Sequence, residues 1–273
     1  MDASILIVHY NTPGLLKQTL KGLFERARPA CEFEVIVVDN NPANRISSDI
    51  REMFPQVKFI DSEKNLGFAG GVNYAIKNAN GRYLLVFNPD IATAQNAIDE
   101  LVCAMDKNPE IGVMGPRLRN PDGSIQDSCY RFQSFLTPFY SRTFFGKFGR
   151  GKKDIERHLM KDFDHNSARE VDWLLGGCIL ARKKAVEDVG TLDEKYFMYF
   201  EDTDWCRRFW EHGWRVVYWP SAELYHYHRR ESATGGNVMF QFFNSLTREQ
   251  IKSAIRYFWK FRGKQNPRYK INK

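Results

Sequence analysis

The sequence predicts an α/β fold, with a mostly parallel central sheet flanked by helices and an amphipathic helical extension at the C-terminus. Three observations carry that expectation. The apolar runs Ile5–Val8, Val35–Val38 and Leu84–Phe87 have strand length and no polar interruption, as in strands buried on both faces. Helical patterns separate them, which implies parallel pairing through βαβ units. Each run ends abruptly in polar residues, at Tyr10-Asn11, Asp39-Asn40 and Asn88-Pro89-Asp90. Ligands of open α/β sheets gather beyond the carboxyl ends of the strands, so these tips mark where a site should lie.

In chain order, Thr12 can cap a first helix and Pro13 can occupy its first position, with Leu15, Leu16, Leu20 and Leu23 as its apolar face. Val57–Ile60 reads as a third strand. The Gly-rich stretch Asn65-Leu66-Gly67-Phe68-Ala69-Gly70-Gly71-Val72-Asn73 then leads into a helix. Its glycines either let backbone N–H groups approach a phosphate or serve turn geometry and close helix-sheet packing. After the next strand, Asn88 and Asp90 can offer oxygen to a hard divalent cation, although Asn-Pro-Asp also suits a plain turn. Asn96–Met105 reads as a helix and Ile111–Gly115 as a strand. Asn120-Pro121-Asp122-Gly123-Ser124 is a turn signal that opens a Phe-, Tyr-, Arg- and Lys-rich excursion up to residue 170. That excursion is expected to be a partly helical lid, an acceptor-binding insertion or a surface loop.

Val171–Leu180 is strand-like around Gly176-Gly177, a pair that allows close approach of a ligand or another backbone. Glu201, Asp202 and Asp204 cluster at the start of a helix whose Trp205, Cys206, Phe209 and Trp210 share one side. Capping and the helix dipole account for one or two of these acids. A partly desolvated carboxylate at such a position is also a good general base. Beyond a strand at Trp214–Tyr218, His226 and His228 alternate and point the same way on an extended chain. Either could complete the coordination of a metal held by Asp90, and Arg229 and Arg230 could meet a pyrophosphate.

Composition narrows the classes. At 273 residues and 43% hydrophobic content the chain can build one large domain with a small appendage. Its five cysteines include no Cys-x-x-Cys pair, so neither a disulfide framework nor a zinc knuckle is expected, and a reducing compartment fits. No basic leader and no apolar run approaching ~18 residues predicts export or a membrane span. Of the net charge of +7, residues 245–273 contribute nine Lys or Arg and one acid, +8, which leaves 7 − 8 = −1 for the rest. That distribution argues against nucleic acid and for a terminal device that meets an anionic surface. Thr247 and Gln250 fit a capping box, and Leu246 with Ile251 its hydrophobic staple. Ile251, Ala254, Ile255, Phe258 and Trp259 form an apolar stripe beside Arg248, Lys252, Arg256 and Lys260. Such a helix packs on the body or lies on an anionic leaflet. A dinucleotide site is disfavoured, because His9-Tyr10-Asn11-Thr12-Pro13 stands where its glycines belong, and no P-loop occurs.

The ordered set Tyr10-Asn11, Val38-Asp39-Asn40, Asn65-x-Gly67-x-x-x-Gly71-x-Asn73, Asn88-Pro89-Asp90, Gly176-Gly177-Cys178, Phe200-Glu201-Asp202-x-Asp204-x-Cys206-x-Arg208 and His226 resembles the family 2 inverting glycosyltransferases with the GT-A fold. It is most similar to their rhamnosyltransferase-like branch, which builds cell-surface polysaccharides. The resemblance spans residues 3 to 262. It implies a GT-A domain at 1–244, made of a nucleotide-sugar-binding half (1–116), a lid or acceptor insertion (117–170) and an acceptor and catalytic half (171–244), followed by the basic tail at 245–273.

By the same resemblance Asp39 contacts the base or ribose, and Tyr10, Asn11, Asn65, Gly67, Gly71, Asn73, Asn88 and Asp90 complete the donor side. Asp90 and His226, with His228 as rival, ligate Mg²⁺ or Mn²⁺ at the diphosphate. Asn88 stands where the generic Asp-x-Asp element has its first acid. Asp202 is the catalytic base, and Gly176, Gly177, Glu201, Asp204 and Arg208 lie on the acceptor or pyrophosphate side. The implied donor is dTDP-rhamnose, with UDP-sugars as the alternative. The implied acceptor is a hydroxyl of a saccharide or polyprenyl-linked carrier. The expected location is cytoplasmic, peripheral on the inner face of the membrane. Two other readings compete: a nucleotidyltransferase, whose Gly-rich basic signature loop is missing here, and a non-catalytic scaffold with a GT-A-like body.

Overall fold

The structure, a computed structural model, describes residues 1–227 and 245–271. The apolar runs form the expected strands: β1 (Ala3–His9), β2 (Phe33–Asp39), β3 (Lys58–Asp61) and β4 (Tyr83–Phe87). They lie in the order β3-β2-β1-β4, all parallel, with crossovers through α1 (Pro13–Lys21), α2 (Ser48–Met53) and α3 (Gly67–Ile76). The register sets His9 beside Asp39, which brings the polar tips of β1 and β2 to one edge.

The second half extends this sheet with mixed pairing. It opens with β5 (Ile91–Ala92), α4 (Ala97–Lys107), β6 (Ile111–Arg119), β7 (Ile125–Gln126) and β8 (Cys129–Tyr130). The aromatic, basic excursion folds into α5 (Thr137–Tyr140) and α6 (Gly149–His158). Then follow β9 (Arg169–Glu170), β10 (Trp173–Leu174), β11 (Cys178–Arg182), α7 (Lys183–Val189), α8 (Glu201–Glu211) and β12 (Arg215–His226). The strand-like stretch 171–180 is therefore two strands. It bends at Gly176-Gly177, where β10 leaves to pair with β8 while β11 runs antiparallel between β4 and β6.

Alternate residues of the central strands feed two cores, as the two-residue side-chain period requires. Leu6, Ile36, Val38, Leu84 and Val86 pack with α3, α7 and α8, whereas Ile5, Ile7, Val35, Val37, Leu85 and Phe87 pack with α1 and α4. Each such side chain contributes about 1.5–3 kcal/mol on burial, which explains why polar residues are missing from these runs. Two glycines let α3 lie close. A β-carbon at Gly71 would sit 2.7 Å from Val8 Cγ1, and one at Gly67, where φ is +71°, would sit 2.4 Å from the Phe197 carbonyl oxygen.

The tail helix α9 (Ser245–Lys260), with α10 (Arg268–Ile271) after it, packs on the body along a line rotated from the expected stripe. Tyr257 and Phe261 are buried among Phe200 and the α8 aromatics, and the Ser253 hydroxyl donates to the Met198 carbonyl at 2.9 Å. Ile255 and Trp259 remain exposed. The expected capping box is displaced as well. Thr247 lies inside α9 and is buried, while the Gln250 carboxamide oxygen accepts from Arg142. Among the described residues no helix is long and apolar enough to cross a membrane.

Candidate active site

The tips of β1, β2 and β3 form one polar edge. The buried Asp39 carboxylate accepts from the Ile46 N–H at 2.7 Å, with Arg51 Nη2 at 3.5 Å and His9 Nδ1 at 3.4 Å. Burial pushes the His9 imidazole below its ordinary pKa, and the Asp39 contact opposes that shift. Asn40 donates to Asn65 Oδ1 at 3.2 Å and to the Gly67 carbonyl at 3.0 Å, and its oxygen accepts from the Leu66 N–H at 2.9 Å. Asn11, left-handed at φ +56°, accepts from Asn41 at 2.6 Å. Tyr10 is exposed at this edge. Asp39 thus acts from beneath, ordering the 40–47 loop rather than projecting from it.

A cleft of about 340 Å³ opens beside this edge, lined by Phe68, Asn88, Gly176, Gly177, Glu201, Asp202 and His226 among others. The α8 segment delivers its acids there through a strained entry, since Tyr199 and Phe200 have φ of +69° and +67°. Left-handed non-glycine pairs cost free energy and concentrate at functional sites. Asp202 Oδ2 accepts from the Gly176 N–H at 2.9 Å, and Oδ1 accepts from the Thr203 N–H at 2.7 Å. A β-carbon at Gly176 would lie 3.2 Å from Asp202 Cβ, so glycine permits this approach. Burial raises the Asp202 pKa against those hydrogen bonds, and burial plus the Asp202 charge raises that of Glu201 well above the usual range. Glu201 Oε2 is buried with no hydrogen-bond partner among the described residues. Burial thus pushes both carboxyls toward their protonated forms, Glu201 further because the Asp202 charge adds to the effect.

At the far side of the cleft, His226 Nε2 lies 3.3 Å from Asp90 Oδ1. His226 Nδ1 lies 2.9 Å from Gln126 Oε1, a contact that orients the ring with Nε2 toward the carboxylate. A carboxylate oxygen beside an imidazole nitrogen offers the ligand types that divalent cations accept. The Asn88 amide and the His226 ring both converge on Gly177. Among the described residues no group of three or more His, Cys, Asp or Glu is gathered as for a metal. His228, Arg229 and Arg230 lie outside the described residues.

Three expected site residues are engaged elsewhere. Asn73 donates to the Leu192 carbonyl at 2.8 Å and to Glu194 Oε1 at 2.9 Å, which ties the 192–194 loop to α3. Asp204 is fully buried against Arg208 Nε at 2.8 Å and Lys260 Nζ at 2.6 Å, and Arg208 also donates to the Val189 and Thr191 carbonyls. These are structural contacts. Gly67 and Gly71 are likewise accounted for by packing. Conversely, sequence reasoning passed over Gln126, on the two-residue strand β7, and Thr203, whose N–H fixes Asp202. Only the turn at 120–124 hinted that a hairpin would bring residue 126 to the sheet.

Residues 4–190 match the family model described as glycosyl transferase family 2. The chain belongs to that family. A curated N-acetylglucosaminyl-diphospho-decaprenol L-rhamnosyltransferase of Mycobacterium tuberculosis is 32% identical to this family 2 chain over 212 residues, which cover 71% of it and 66% of the relative. The chain thus spans slightly less than two thirds of that relative's length. The rhamnosyltransferase WbbL of Escherichia coli is 24% identical over 245 residues, 87% of each chain. Among solved structures, GalNAc-T7 with UDP, GalNAc and Mn²⁺ superposes with a TM-score of 0.69 at 15% identity, covering 97% of this chain and 48% of that one. The Pyrobaculum calidifontis mannosyltransferase PcManGT, with GDP-Man and Mn²⁺, gives 0.62 at 15% identity over 98% of this chain and 67% of that one. The fold is GT-A.

Proposed function

We propose that this chain is an inverting glycosyltransferase that moves L-rhamnose from dTDP-rhamnose to a hydroxyl of a saccharide on a polyprenyl diphosphate, in cell-surface polysaccharide synthesis. The observation that carries the reading is Asp202, clamped by the Gly176 and Thr203 N–H groups in the cleft that Asn88 and His226 also line. The rhamnosyltransferase relatives support the donor and acceptor classes.

Asp202 takes the proton of the acceptor hydroxyl as that oxygen attacks the anomeric carbon. The bond to the diphosphate oxygen breaks on the opposite face, and its electron pair leaves with the nucleotide. One displacement inverts the configuration. Burial makes Asp202 a stronger base than a solvated carboxylate, and the two N–H donors fix its orientation. Burial and the Asp202 charge disfavour a second negative charge on Glu201 in the cleft. Asp90 and His226 would hold Mg²⁺ or Mn²⁺, which would supply positive charge at the leaving diphosphate. The polar edge around Asp39, Asn40 and Asn65 receives the nucleoside.

Thermal shift with dTDP or UDP, each with and without Mn²⁺, tests the reading. A nucleotide at ~100 times its dissociation constant stabilises the fold by ~2.7 kcal/mol. A shift that needs both dTDP and the metal is expected, and no shift with any nucleotide would overturn the proposal.

The exposed outer face of α9, with Ile255 and Trp259 beside Arg256 and Lys252, supports peripheral contact with an anionic leaflet. Each basic residue near such a surface adds ~1 kcal/mol. Changing Ile255→Ser with Trp259→Ser should release the protein from anionic vesicles; unchanged pelleting would remove the claim. Deleting the whole tail is the poorer experiment, since it strips Tyr257 and Phe261 from the core.

A further inference from the structure

The excursion at 117–170 leaves an apolar feature that the chemistry above does not use. Between α5 and α9 runs a groove of about 590 Å³, lined by Phe135, Leu136, Phe139, Ile251, Ala254 and Phe258. That volume falls in the range of small-molecule sites. Phe135 and Phe139 are 74% and 51% exposed, although Phe135 meets Phe258 edge-on across the groove. Exposed aromatics around a concave apolar channel are unfavourable in water unless something covers them.

The groove adjoins the cleft. Gln250 lines both, and Phe200, in the wall of the cleft, packs against Phe258 in the wall of the groove. At this junction stands Arg142, half-buried, whose polar partner among the described residues is the Gln250 carboxamide oxygen. Among the described residues no carboxylate pairs with it, whereas Arg117, Arg119, Arg131 and Arg157 each have one. Between Ser128 and Lys153 there is no acid at all, against six Lys or Arg. From Asp202 outward the order is therefore a carboxylate, a guanidinium with no carboxylate partner among the described residues and an apolar channel.

We propose that the groove between α5 and α9 holds the isoprenoid chain of a polyprenyl-diphosphate-linked acceptor, with Arg142 at its diphosphate. This rests on the acceptor class argued above and adds where the carrier lies. A sugar joined through a diphosphate to a hydrocarbon presents the same three chemistries in the same order. Arginine is the residue suited to a diphosphate, because its planar fork pairs with phosphate oxygens bidentately.

The test compares farnesyl diphosphate with inorganic pyrophosphate by calorimetry on the full chain, alongside the dTDP and Mn²⁺ thermal shift. Each buried methylene changes affinity about fourfold, so farnesyl diphosphate should bind at least about tenfold tighter than pyrophosphate. Ala254→Trp, which fills the groove, should erase that preference, and Arg142→Gln should weaken both ligands. Phe139→Ser, at an exposed position safe for folding, should reduce the preference in the same direction. All three variants should keep the nucleotide shift. Equal affinity for the two diphosphates overturns the proposal while a surviving nucleotide shift keeps the transferase reading. Loss of vesicle binding in Phe139→Ser with no farnesyl preference also overturns it, and assigns the patch to a bilayer instead. A farnesyl preference without any nucleotide shift supports the groove and sinks the donor assignment.

Discussion

Two carboxylates on α8 sit two residues apart, both buried, and the molecule treats them in opposite ways. On the outer side Asp204 is enclosed by Arg208 Nε at 2.8 Å, Lys260 Nζ at 2.6 Å and the Tyr196 hydroxyl at 3.3 Å. On the cleft side Asp202 has no cation among the described residues, only the N–H groups of Gly176 and Thr203 and the Thr203 hydroxyl. Removing a charge from water is costly unless it is paired and hydrogen-bonded. Asp204 is compensated, and it fastens α9 to α8. Asp202 is under-compensated, and burial raises its pKa, which is the property that the proposed role of base requires.

The comparison is broken most directly at Asp202. Asp202→Asn keeps the shape but removes the base, and its single amide oxygen can accept from only one of the Gly176 and Thr203 N–H groups. Turnover should fall about 10²–10⁴-fold, the usual contribution of a general base, while the melting temperature changes little, because the lost N–H contact offsets the removal of a buried charge. Rates from nucleotide release and a thermal melt on the same sample decide it. Lost stability with retained turnover would make Asp202 a second Asp204.

Asp204→Ala should do the reverse. Removing one partner of a buried pair costs about 3–5 kcal/mol, and the lower end applies here because Lys260 is partly solvated. Urea unfolding should show that loss, while turnover per folded molecule stays within a few-fold of the parent. A variant as stable as the parent would mean that the ion pairs between α8 and α9 contribute nothing.

The same contrast explains what could be read from the sequence. The parallel half was legible because Ile5–Val8, Val35–Val38 and Leu84–Phe87 must be apolar on both faces, and two buried cores leave that trace directly. The polar tips were legible for the same reason, since packing does not demand them. The fate of each tip was not. Asn73 is fixed by Leu192, and Asp204 by Lys260, partners far along the chain that no local pattern reveals. The roll of α9 was hidden likewise, because its apolar stripe suited a surface, whereas Phe200 and the α8 aromatics take Tyr257 and Phe261. Arg142 and Gln126 sit in segments without periodicity, where only tertiary structure gives them a role.

Glu201 sharpens the comparison with the smallest effect. Its folded pKa is raised well above 4.5 by burial first and by the Asp202 charge second. The folded state therefore keeps a proton that the unfolded chain releases from about pH 4.5 upward. With more protons bound folded than unfolded, stability falls as pH rises through that window, until the folded group ionises. Glu201→Gln retains the neutral shape and has no proton to lose, so its advantage over the parent should grow with pH in melts taken from pH 4.5 upward. Turnover near neutral pH should change by less than about tenfold, equivalent to ~1.4 kcal/mol, because burial already disfavours the charged form that Gln cannot adopt. A fall as deep as that of Asp202→Asn would transfer the role of base from Asp202 to Glu201. A flat stability difference across pH would mean that Glu201 is ionised in the fold.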